Sequence, residues 1–395
     1  MSRTQADYVV VGSGVTGATI ARLLADAGRD VLVVDRRTHL GGNVHDFTHP
    51  SGIRIHTYGP HYFRTSSDKM WAFVSRFTGF HPYRPIVYSW VEGRYAIWPL
   101  NKSYLVAAAG SDWKPERTEP PSNFEEACLT MMPRVIYERF VRGYTQKQWG
   151  VSPMALGKEL AGRFDVREGD EQSFSLHKHQ GIPLHGYAAL MSNMLDGIPR
   201  VLGCDYLEHR QSIRHRKKLI FTGSIDEFFG FQLGKLKYRA QKRIHEYLPD
   251  RTEFQPVGQV NNPSLENGEF VRTLEWKHMM PEKELPSIAG TVITREYPYT
   301  PEHTSEYEYP FPDAANRQLY AMYRARAAAL PDTVICGRLG EYRYFDMDQA
   351  MARAILLGKQ LLKGAGKLSP SMQPAQPIGL EVYARGLRAR PRPNL

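Results

Sequence analysis

The chain has 395 residues, of which 42% are hydrophobic and 23% charged, and its formal net charge is +10. This length allows two or three subdomains, no apolar run approaches the roughly 20 residues needed to cross a bilayer, and the three cysteines are too widely spaced for a disulfide framework or a zinc site. We therefore expect a cytoplasmic protein with no membrane span and no metal.

Part of the positive charge lies in the Pro-rich C-terminal segment 365–395, which contains five lysines or arginines and one glutamate. We expect this basic tail, from residue 366 onward, to be disordered. The smaller excess over the rest of the chain suits a phosphorylated ligand. Because no recognisable nucleic-acid module accompanies the charge, we expect no nucleic-acid partner.

The first predicted element is a short buried strand, Tyr8–Val11, which runs directly into three glycines in the GxGxxG spacing. Gly12 allows a tight turn, Gly14 lets the backbone approach a pyrophosphate, and Gly17 lets the following helix pack against the strand. This order of elements predicts a phosphate-binding turn.

A helix is predicted over residues 18–28 and a second apolar strand over 30–34. The helix N-terminus would meet the phosphates with its free amides. Asp35 ends the second strand, 23 positions after Gly12, where a carboxylate accepts hydrogen bonds from ribose hydroxyls. Strand, helix, strand and acid together predict a dinucleotide-binding unit.

The choice between NAD and FAD depends on the segment DRRTHLGGN, residues 35–43. An acid, the basic Arg37 and the glycine pair 41–42 form an extension that is common in flavoproteins. The glycine pair lets the chain pass close to a flavin. The sequence therefore favours FAD.

Patterns in the middle of the chain predict strands, a helical region and a loop. Residues 44–100 contain aromatic-rich strands with a turn at Glu92–Gly93, and residues 124–149 have helical spacing with a break at Pro133. The polar segment 165–180 has few apolar anchors, so we predict a mobile loop there.

The second half returns to mixed structure. Residues 186–199 predict a helix, 218–230 a strand followed by a glycine turn, and 231–311 a strand-rich region. Residues 334–362 predict a strand, a glycine turn and a long helix. We expect this last unit to pack back onto the first domain, which makes that domain discontinuous.

Several blocks of the sequence together resemble the bacterial UDP-galactopyranose mutases. The most specific are GYTQKQWG (143–150) and GRLGEYRYFDMD (337–348). The other blocks follow in the order that the family has: DRRTHLGGN (35–43), HTYGPHYF (56–63), QGIPLHGY (180–187), FTGSIDEFF (221–229), VRTLEWKH (271–278) and EYP (308–310). The resemblance covers the chain from about residue 8 to residue 362.

The resemblance implies an α/β fold, in which a discontinuous Rossmann-like FAD-binding domain carries an inserted helical bundle and an antiparallel β-sheet domain. The implied bounds are 1–77, 196–230 and 318–365 for the FAD-binding domain, 101–177 for the helical domain with a mobile substrate loop, and 78–100, 178–195 and 231–317 for the sheet domain.

The implied reaction is a flavin-dependent isomerisation of a nucleotide sugar between its pyranose and furanose forms, without net redox. The substrate would be UDP-galactopyranose or UDP-galactofuranose, or a related sugar nucleotide. Catalysis would proceed through a covalent adduct between the sugar and N5 of reduced FAD, which is nucleophilic catalysis by the cofactor. The resemblance also allows a homodimer.

A departing diphosphate needs cations, and the planar fork of arginine matches phosphate oxygens. The resemblance assigns catalytic roles to Arg272, to Arg167 on a loop whose closure excludes water, and to His61 beside the flavin ring. The implied substrate-binding residues are Tyr144, Thr145, Trp149, Asn101, Tyr309, Tyr344 and Asp346. The implied cofactor-binding residues are Gly12, Gly14, Val15, Gly17, Asp35, Arg36, Gly42, Asn43, Tyr58, Arg338, Asp346 and Met347.

Four positions depart from the family pattern. Arg64 replaces a usual histidine, Phe174 and His179 stand where the mobile loop usually has tyrosines, and Ser224 replaces a proline. Lost tyrosine hydroxyls near the diphosphate would remove hydrogen bonds worth about 0.5–1.5 kcal/mol each. Arg64 near the flavin would favour an anionic reduced flavin. These departures leave the identity of the sugar open.

Two other functions compete with a mutase. One is an FAD-dependent, amine-oxidase-like oxidoreductase, and the other is a nucleotide-sugar binder without catalysis. The block GYTQKQWG and Arg272 favour a mutase over an oxidase, because an amine oxidase has no use for diphosphate contacts. The intact flavin motif is the one sequence feature that argues against a nucleotide-sugar binder without catalysis.

Overall fold

The computed structural model describes residues 4–164, 166–167 and 169–364. The predicted disordered tail, and residues 165 and 168 of the predicted mobile loop, lie outside these ranges. The strands are Gln5–Val11 (β1), Val31–Asp35 (β2), Asp46–Thr48 (β3), Arg54–His56 (β4), Phe63–Thr65 (β5), Phe80–Pro82 (β6), Val87–Val91 (β7), Arg94–Trp98 (β8), Leu100–Asn101 (β9), Val166–Arg167 (β10), His179–Pro183 (β11), Arg200–Leu202 (β12), Arg214–Phe221 (β13), Tyr238–Leu248 (β14), Gln259–Asn261 (β15), Arg272–Glu275 (β16), Thr291–Tyr299 (β17), Tyr309–Pro310 (β18) and Thr333–Ile335 (β19).

The α-helices are Val15–Asp26 (α1), Asp68–Val74 (α2), Lys102–Ala109 (α3), Phe124–Leu129 (α4), Arg134–Ile136 (α5), Gly143–Trp149 (α6), Gly186–Met194 (α7), Tyr206–His209 (α8), Ile225–Phe228 (α9), Ala314–Ala328 (α10), Gly337–Gly340 (α11) and Met347–Leu362 (α12). Short 3₁₀-helices span Gly42–Val44, Pro153–Ala155, Lys158–Arg163, Trp276–Met279, Glu282–Ser287 and Thr304–Glu306, and a π-helix spans Tyr137–Arg142.

A five-stranded parallel sheet forms the first layer, in the order β12-β2-β1-β13-β19. Alternate residues of its central strands enter two different cores: Val10 and Val33 face one, and Val9 and Val34 the other. Both faces of the sheet are therefore buried, which explains the unbroken apolar runs of β1 and β2. β19 adds to this sheet and α12 packs against α1, so the predicted return of the C-terminal unit is confirmed.

A seven-stranded sheet forms the second layer, in the order β18-β14-β17-β16-β15-β7-β8. Its strands are antiparallel except that β15 runs parallel to β7. The predicted turn between β7 and β8 is confirmed, because Glu92 and Gly93 both have positive φ, at 52° and 77°. This backbone matches the twist of a two-residue hairpin. The longest ladder of the sheet joins β14 to β17.

The helical region contains the predicted break at Pro133, which precedes α5. From there α5, the π-helix and α6 follow one another without a gap as one continuous helical segment. π-helical turns are frequent near functional sites. At the start of α6, a Cβ on Gly143 would lie 2.2 Å from the carbonyl oxygen of Pro263. Glycine therefore lets α6 approach the sheet closely. The three-domain division of the chain stays a prediction.

Within the described ranges, no helix is long and apolar enough to cross a membrane. All three cysteines are free thiols. In the same part of the chain, no group of His, Cys, Asp or Glu side chains is arranged to hold a metal ion.

The buried carboxylate of Asp46 joins β3 to the start of α7. It accepts hydrogen bonds from the backbone N–H groups of Tyr187 (2.7 Å) and Ala188 (2.9 Å). Gly186, with φ +83°, allows this approach, since a Cβ there would lie 2.3 Å from Asp46 Oδ2. Asp46 therefore satisfies two amides that the helix itself cannot.

We expect Asp46→Ala to lower the free energy of unfolding by about 1–3 kcal/mol, because two buried amides lose their acceptor. Asp46→Asn, which keeps one acceptor oxygen, should lose less. Urea titrations followed by circular dichroism measure both. The exposed Asp332→Asn serves as a control and should change stability by less than about 0.5 kcal/mol. Equal stability of Asp46→Ala and the unsubstituted protein would refute this role.

Candidate functional site

The turn after β1 is built so that only glycine fits. Gly12 has φ +103°, and a Cβ there would lie 2.0 Å from Thr222 Oγ1. A Cβ on Gly17 would lie 1.9 Å from the carbonyl oxygen of Gly12. Val15 begins α1 directly after this turn, and no described side chain caps its N-terminus. The first amides of α1 are therefore available to a phosphate.

A second glycine segment closes over the first. Gly14 forms a bridge with Gly41, and a Cβ on Gly42 (φ +54°) would lie 3.1 Å from the Cα of Gly14. Two backbones thus touch without side chains between them. The absence of side chains at these three glycines lets a pyrophosphate approach the backbone closely.

Asp35 ends β2 in the predicted place. Its carboxylate accepts hydrogen bonds from the Ser13 N–H (2.7 Å), the Ser13 hydroxyl (2.6 Å) and the Arg37 N–H (2.9 Å). A carboxylate has about four acceptor positions, so a ribose hydroxyl can still bind. Arg37 continues the same site, since it stacks on Tyr58 (4.4 Å) and donates to Asn43 Oδ1 (2.9 Å).

The Arg36 side chain binds residues from distant parts of the chain. Its guanidinium forms ion pairs with Glu227 (2.9 Å) and Asp205 (3.2 Å) and donates to Thr304 Oγ1 (2.8 Å). Its predicted cofactor contact stays a prediction, while these bonds give it a structural role between segments that are distant in sequence.

His61 lies in the loop after β4, near Arg243, Arg272 and Arg338. Burial, together with the charges of Arg338 and Arg243, lowers the pKa of its imidazole to about 3. The ring is therefore neutral, and its buried Nδ1 has no hydrogen-bond partner among the described residues. A buried orphan nitrogen of this kind is expected to meet a bound group. Together with the glycine cradle and Asp35, it fits a flavin dinucleotide.

A cavity of about 160 Å³ lies between the helical region and the seven-stranded sheet. One part of its lining is aromatic or aliphatic: Trp98, Phe140, Trp149, Leu160, Phe164 and Phe174. The other part carries hydrogen-bonding groups: Tyr144, Thr145, Gln148, Gln259, Asn261, Arg272 and Tyr309. The cavity therefore offers an apolar wall for a planar group and a polar wall for a charged one.

Arg272 supplies the charge of the polar wall. The strand register places Arg272 on β16 and Arg243 on β14 directly opposite Glu296 on β17. The fully buried Glu296 carboxylate pairs with both guanidinium groups, at 2.9 Å from Arg243 and in a shorter contact with Arg272. Glu308 binds the other side of Arg243 at 2.8 Å. We call Arg243, Arg272 and Glu296 the arginine–glutamate triad.

Within the triad, the attraction between opposite charges outweighs the cost of burying them. Burial works against the charge of Arg272, but Glu296 outweighs it and raises the pKa of the guanidinium. Burial likewise opposes the charge of Glu296, and the two arginines outweigh it and lower the pKa of the carboxyl. All three groups are therefore ionised. Gly59, with φ +94°, packs on them so closely that a Cβ would lie 2.8 Å from Glu296 Oε1.

Helix α6 presents its side chains to the cavity at i, i+1, i+4 and i+5: Tyr144, Thr145, Gln148 and Trp149. Within the described ranges, the buried Oγ1 of Thr145 has no hydrogen-bond partner. Lys147 fastens the helix, because it donates to the carbonyls of Asn262 and Phe270, both at 3.1 Å. Burial lowers the pKa of this lysine to about 8.

A stacked cluster links the cavity to the start of α12. Arg338 lies over the rings of Tyr344 (4.8 Å) and Tyr309 (5.9 Å) and donates to the Phe345 carbonyl (2.8 Å). The Tyr344 hydroxyl donates to Asp346 (3.1 Å), the N-cap of the helix that begins at Met347. Burial raises the pKa of Tyr309 to about 12, so its hydroxyl stays protonated and able to donate.

Five of the residues predicted to be catalytic or to bind substrate do not line the cavity: His61, Asn101, Arg167, Tyr344 and Asp346. The Arg167 guanidinium is buried and donates to the carbonyls of Glu171 (3.3 Å), Phe174 (3.1 Å) and Ser173. Asn101 caps α3 by accepting from the Tyr104 N–H at 2.9 Å. Their backbones pair in the β9–β10 ladder, so both build the frame beside the cavity. Their predicted contacts with substrate stay predictions.

The sequence analysis missed several residues at the site. Gln148 could have been found, since it follows Tyr144 by four positions on one helix face. Glu296 and Arg243 carried no local signal, because only the register of a long antiparallel pairing brings them opposite Arg272. The aromatic wall likewise comes from four separate segments, which contain Trp98, residues 140–149, residues 160–164 and Phe174.

Comparisons with known proteins agree with this geometry. The sequence model of the UDP-galactopyranose mutase family matches residues 139–344, and that of an NAD(P)-binding Rossmann-like domain matches residues 10–77. The chain is 30% identical, over 90% of its length and 94% of the relative, to a probable UDP-galactopyranose mutase of Klebsiella pneumoniae. It is 29% identical to a dTDP-fucopyranose mutase of Escherichia coli, over 90% of this chain and 98% of the relative.

Among solved structures, a reduced UDP-galactopyranose mutase superposes with a TM-score of 0.71 at 16% identity, covering 91% of this chain and 96% of that one. This similarity supports the architecture described above. The family match over more than half of the chain and the relative at 30% identity go further, and show that this chain belongs to the UDP-galactopyranose mutase family and is an isomerase.

Proposed function

We propose that the enzyme interconverts the pyranose and furanose forms of a nucleotide-linked sugar, UDP-galactose or a related one, with reduced FAD as cofactor. The observation that carries this proposal is Arg272, a fixed cation in a cavity that aromatic side chains also line. A nucleoside diphosphate needs both features, since its base stacks on aromatic rings and its phosphates pair with a guanidinium.

The cofactor would lie along the glycine cradle. Gly12, Gly14 and the amides of α1 would hold its pyrophosphate, and Asp35 would accept a ribose hydroxyl. His61, whose buried Nδ1 has no hydrogen-bond partner in the described part of the chain, would contact the ring system. When bound there in its reduced form, the flavin would supply nucleophilic chemistry for substitution at the anomeric carbon of the sugar.

The protein would bind and orient the leaving diphosphate. Arg272 and Arg338 bring positive charge to the side of the cavity where Tyr309 lies, and Tyr309 stays protonated to donate a hydrogen bond. Because Glu296 already fixes Arg272, little reorganisation is needed as negative charge develops on the diphosphate. Closure by Arg167, the three-part domain division and a homodimer belong to the same proposal as expectations from family resemblance.

An amine-oxidase-like activity fits the cavity poorly. A protonated amine would approach Arg272 and Arg338, and like charges close together in a buried site repel strongly. A binder without catalysis would need the same diphosphate contacts but no cofactor cradle, and the glycine cradle is intact. Both alternatives are separated from the mutase by turnover.

To test the function, purified protein is incubated with UDP-galactofuranose, with and without dithionite, and the products are separated chromatographically. We expect UDP-galactopyranose to form at least ten times faster with dithionite, because only reduced flavin is nucleophilic. The dithionite-treated Arg272→Met variant, which removes the cation, is the control and should lose most of the turnover. Tight UDP binding without turnover in either redox state would establish the binder instead.

We expect Glu296→Gln to lower kcat/KM by about 10- to 100-fold, because the neutral amide leaves Arg272 without its buried counter-charge. Bound flavin, measured by absorbance, should stay near the level of the unsubstituted protein. The matched control is Glu308→Gln, which removes the other partner of Arg243 and leaves the Arg272–Glu296 pair in place. If both substitutions reduce kcat/KM equally, the bracing of Arg272 is not what matters.

A further inference from the structure

Two segments that are distant in the sequence supply much of the cavity lining. The first is α6, whose side chains toward the cavity we call the helix wall: Tyr144, Thr145, Gln148 and Trp149. The second is the pair of strands β15 and β16, whose side chains toward the cavity we call the hairpin wall: Gln259, Asn261 and Arg272. Contacts between α6 and this hairpin therefore set the width of the cavity between the two walls.

The loop that joins β15 to β16 is closed by hydrogen bonds of its own. Asn262 follows Asn261 directly, and its buried side-chain amide donates to the carbonyls of Asn267 (2.7 Å) and Phe270 (3.0 Å). Phe270 lies two positions before Arg272, the first residue of β16. A group that binds the carbonyls of Asn262 and Phe270 is therefore attached next to both strands of the hairpin wall.

Lys147 of α6 binds both of these carbonyls. Its Nζ lies 3.1 Å from the carbonyl oxygen of Asn262 and 3.1 Å from that of Phe270. Burial lowers the pKa of this lysine to about 8, so it still carries its charge at neutral pH. Hydrogen bonds from a charged donor are roughly twice as strong as neutral ones. Lys147 therefore fastens α6 firmly to both ends of the loop.

Gly143, one turn before Lys147, lets the helix come close enough for this contact. A Cβ on Gly143 would lie 2.2 Å from the carbonyl oxygen of Pro263, which belongs to the same loop. A backbone atom cannot yield as the end of a flexible side chain can, so even one methyl group here would push α6 and the loop apart. The glycine thus permits the separation that the lysine holds.

Other groups hold the rest of the site. Glu296 fixes the guanidinium of Arg272 inside the sheet. Arg239 holds the end of α6, because it donates to the carbonyls of Lys147 (3.2 Å) and Gln148 (2.8 Å). Loss of the lysine ammonium should therefore leave the sheet and the helix folded. What it changes is the distance from the first turn of α6 to the hairpin wall.

We propose that Lys147 is a positioning residue, which sets the separation of the helix wall from the hairpin wall and thereby the affinity of the cavity for a nucleoside diphosphate. This inference rests on the proposed function and assigns to that site a residue that does not line the cavity. Hydrogen bonds weaken steeply once their distance and angle depart from the optimum, so a ligand that contacts both walls loses contacts when one wall moves. Because Arg272 stays in place, the loss falls on binding rather than on the chemical step.

The test is the Lys147→Met variant, which keeps an unbranched side chain of similar length and removes the ammonium. UDP and dTDP are titrated calorimetrically into the FAD-loaded protein at about pH 7, and kinetics with UDP-galactofuranose follow on dithionite-reduced enzyme. For whichever nucleotide binds the unsubstituted protein more tightly, we expect Kd to rise at least about tenfold, which corresponds to the loss of roughly one or two hydrogen bonds. We expect kcat to change by less than about threefold and the bound flavin, measured by absorbance, to be unchanged.

Gly143→Ala is an independent variant, since it keeps the lysine and separates the two segments by steric overlap with Pro263. It should likewise raise Kd at least about tenfold. The matched control is Lys277→Met, because the Lys277 ammonium also donates to two carbonyls, those of Ile288 (3.2 Å) and Gly290 (3.1 Å), and none of these residues lines the cavity. This control should leave Kd within about twofold.

An unchanged Kd in Lys147→Met, or in Gly143→Ala should the lysine variant not fold, would overturn the positioning role while the mutase function stands. An equal rise of Kd in Lys147→Met and Lys277→Met would overturn it too, since general loosening of the fold would then be the cause. Nucleotide binding without turnover by the unsubstituted enzyme would refute the mutase function alone. Binding of neither nucleotide would refute the proposed function and this inference with it.

Discussion

The candidate site depends on one buried interaction, the pairing of Glu296 with Arg243 and Arg272. A carboxylate that is fully removed from water is tolerated only when its charge is matched, and here two guanidinium groups match it. Glu308 balances the second positive charge. Glu296 therefore holds Arg272 in place before any ligand binds, and an incoming diphosphate would meet a cation that is already oriented.

The same interaction joins the cofactor side of the molecule to the substrate side. Gly59 packs against all three members of the triad, with Glu296 Oε1 2.8 Å from the position of a Cβ. Two residues further on, His61 has a pKa that burial and the arginines hold at about 3. A larger side chain at residue 59 would therefore collide with the triad, in the same loop that carries His61 two residues later.

The sequence predicted those parts of the fold and of the site whose residues lie close together in the chain. The glycine cradle and Asp35 lie within one βαβ unit, so their spacing alone predicted the fold and the ligand class. Gln148 needed only helical periodicity. Glu296 lies 24 positions from Arg272, and only the register of β16 with β17 brings the two together. Register depends on which faces the whole sheet buries, and no local pattern contains that information.

The hydrogen bonds of Arg167 link the position of its guanidinium to the conformation of the loop. The sequence predicts a cation that closes on the diphosphate, and the structure has this guanidinium bonded to the carbonyls of Glu171, Ser173 and Phe174. Arg167 cannot keep these bonds and also turn toward a phosphate, because its planar fork faces one direction at a time. Any movement of Arg167 toward the cavity therefore breaks its hydrogen bonds to these carbonyls, while the Phe174 N–H can keep its bond to the Pro85 carbonyl. The closure of Arg167 that the sequence predicts would therefore leave the carbonyls of Glu171, Ser173 and Phe174 in need of other hydrogen-bond donors.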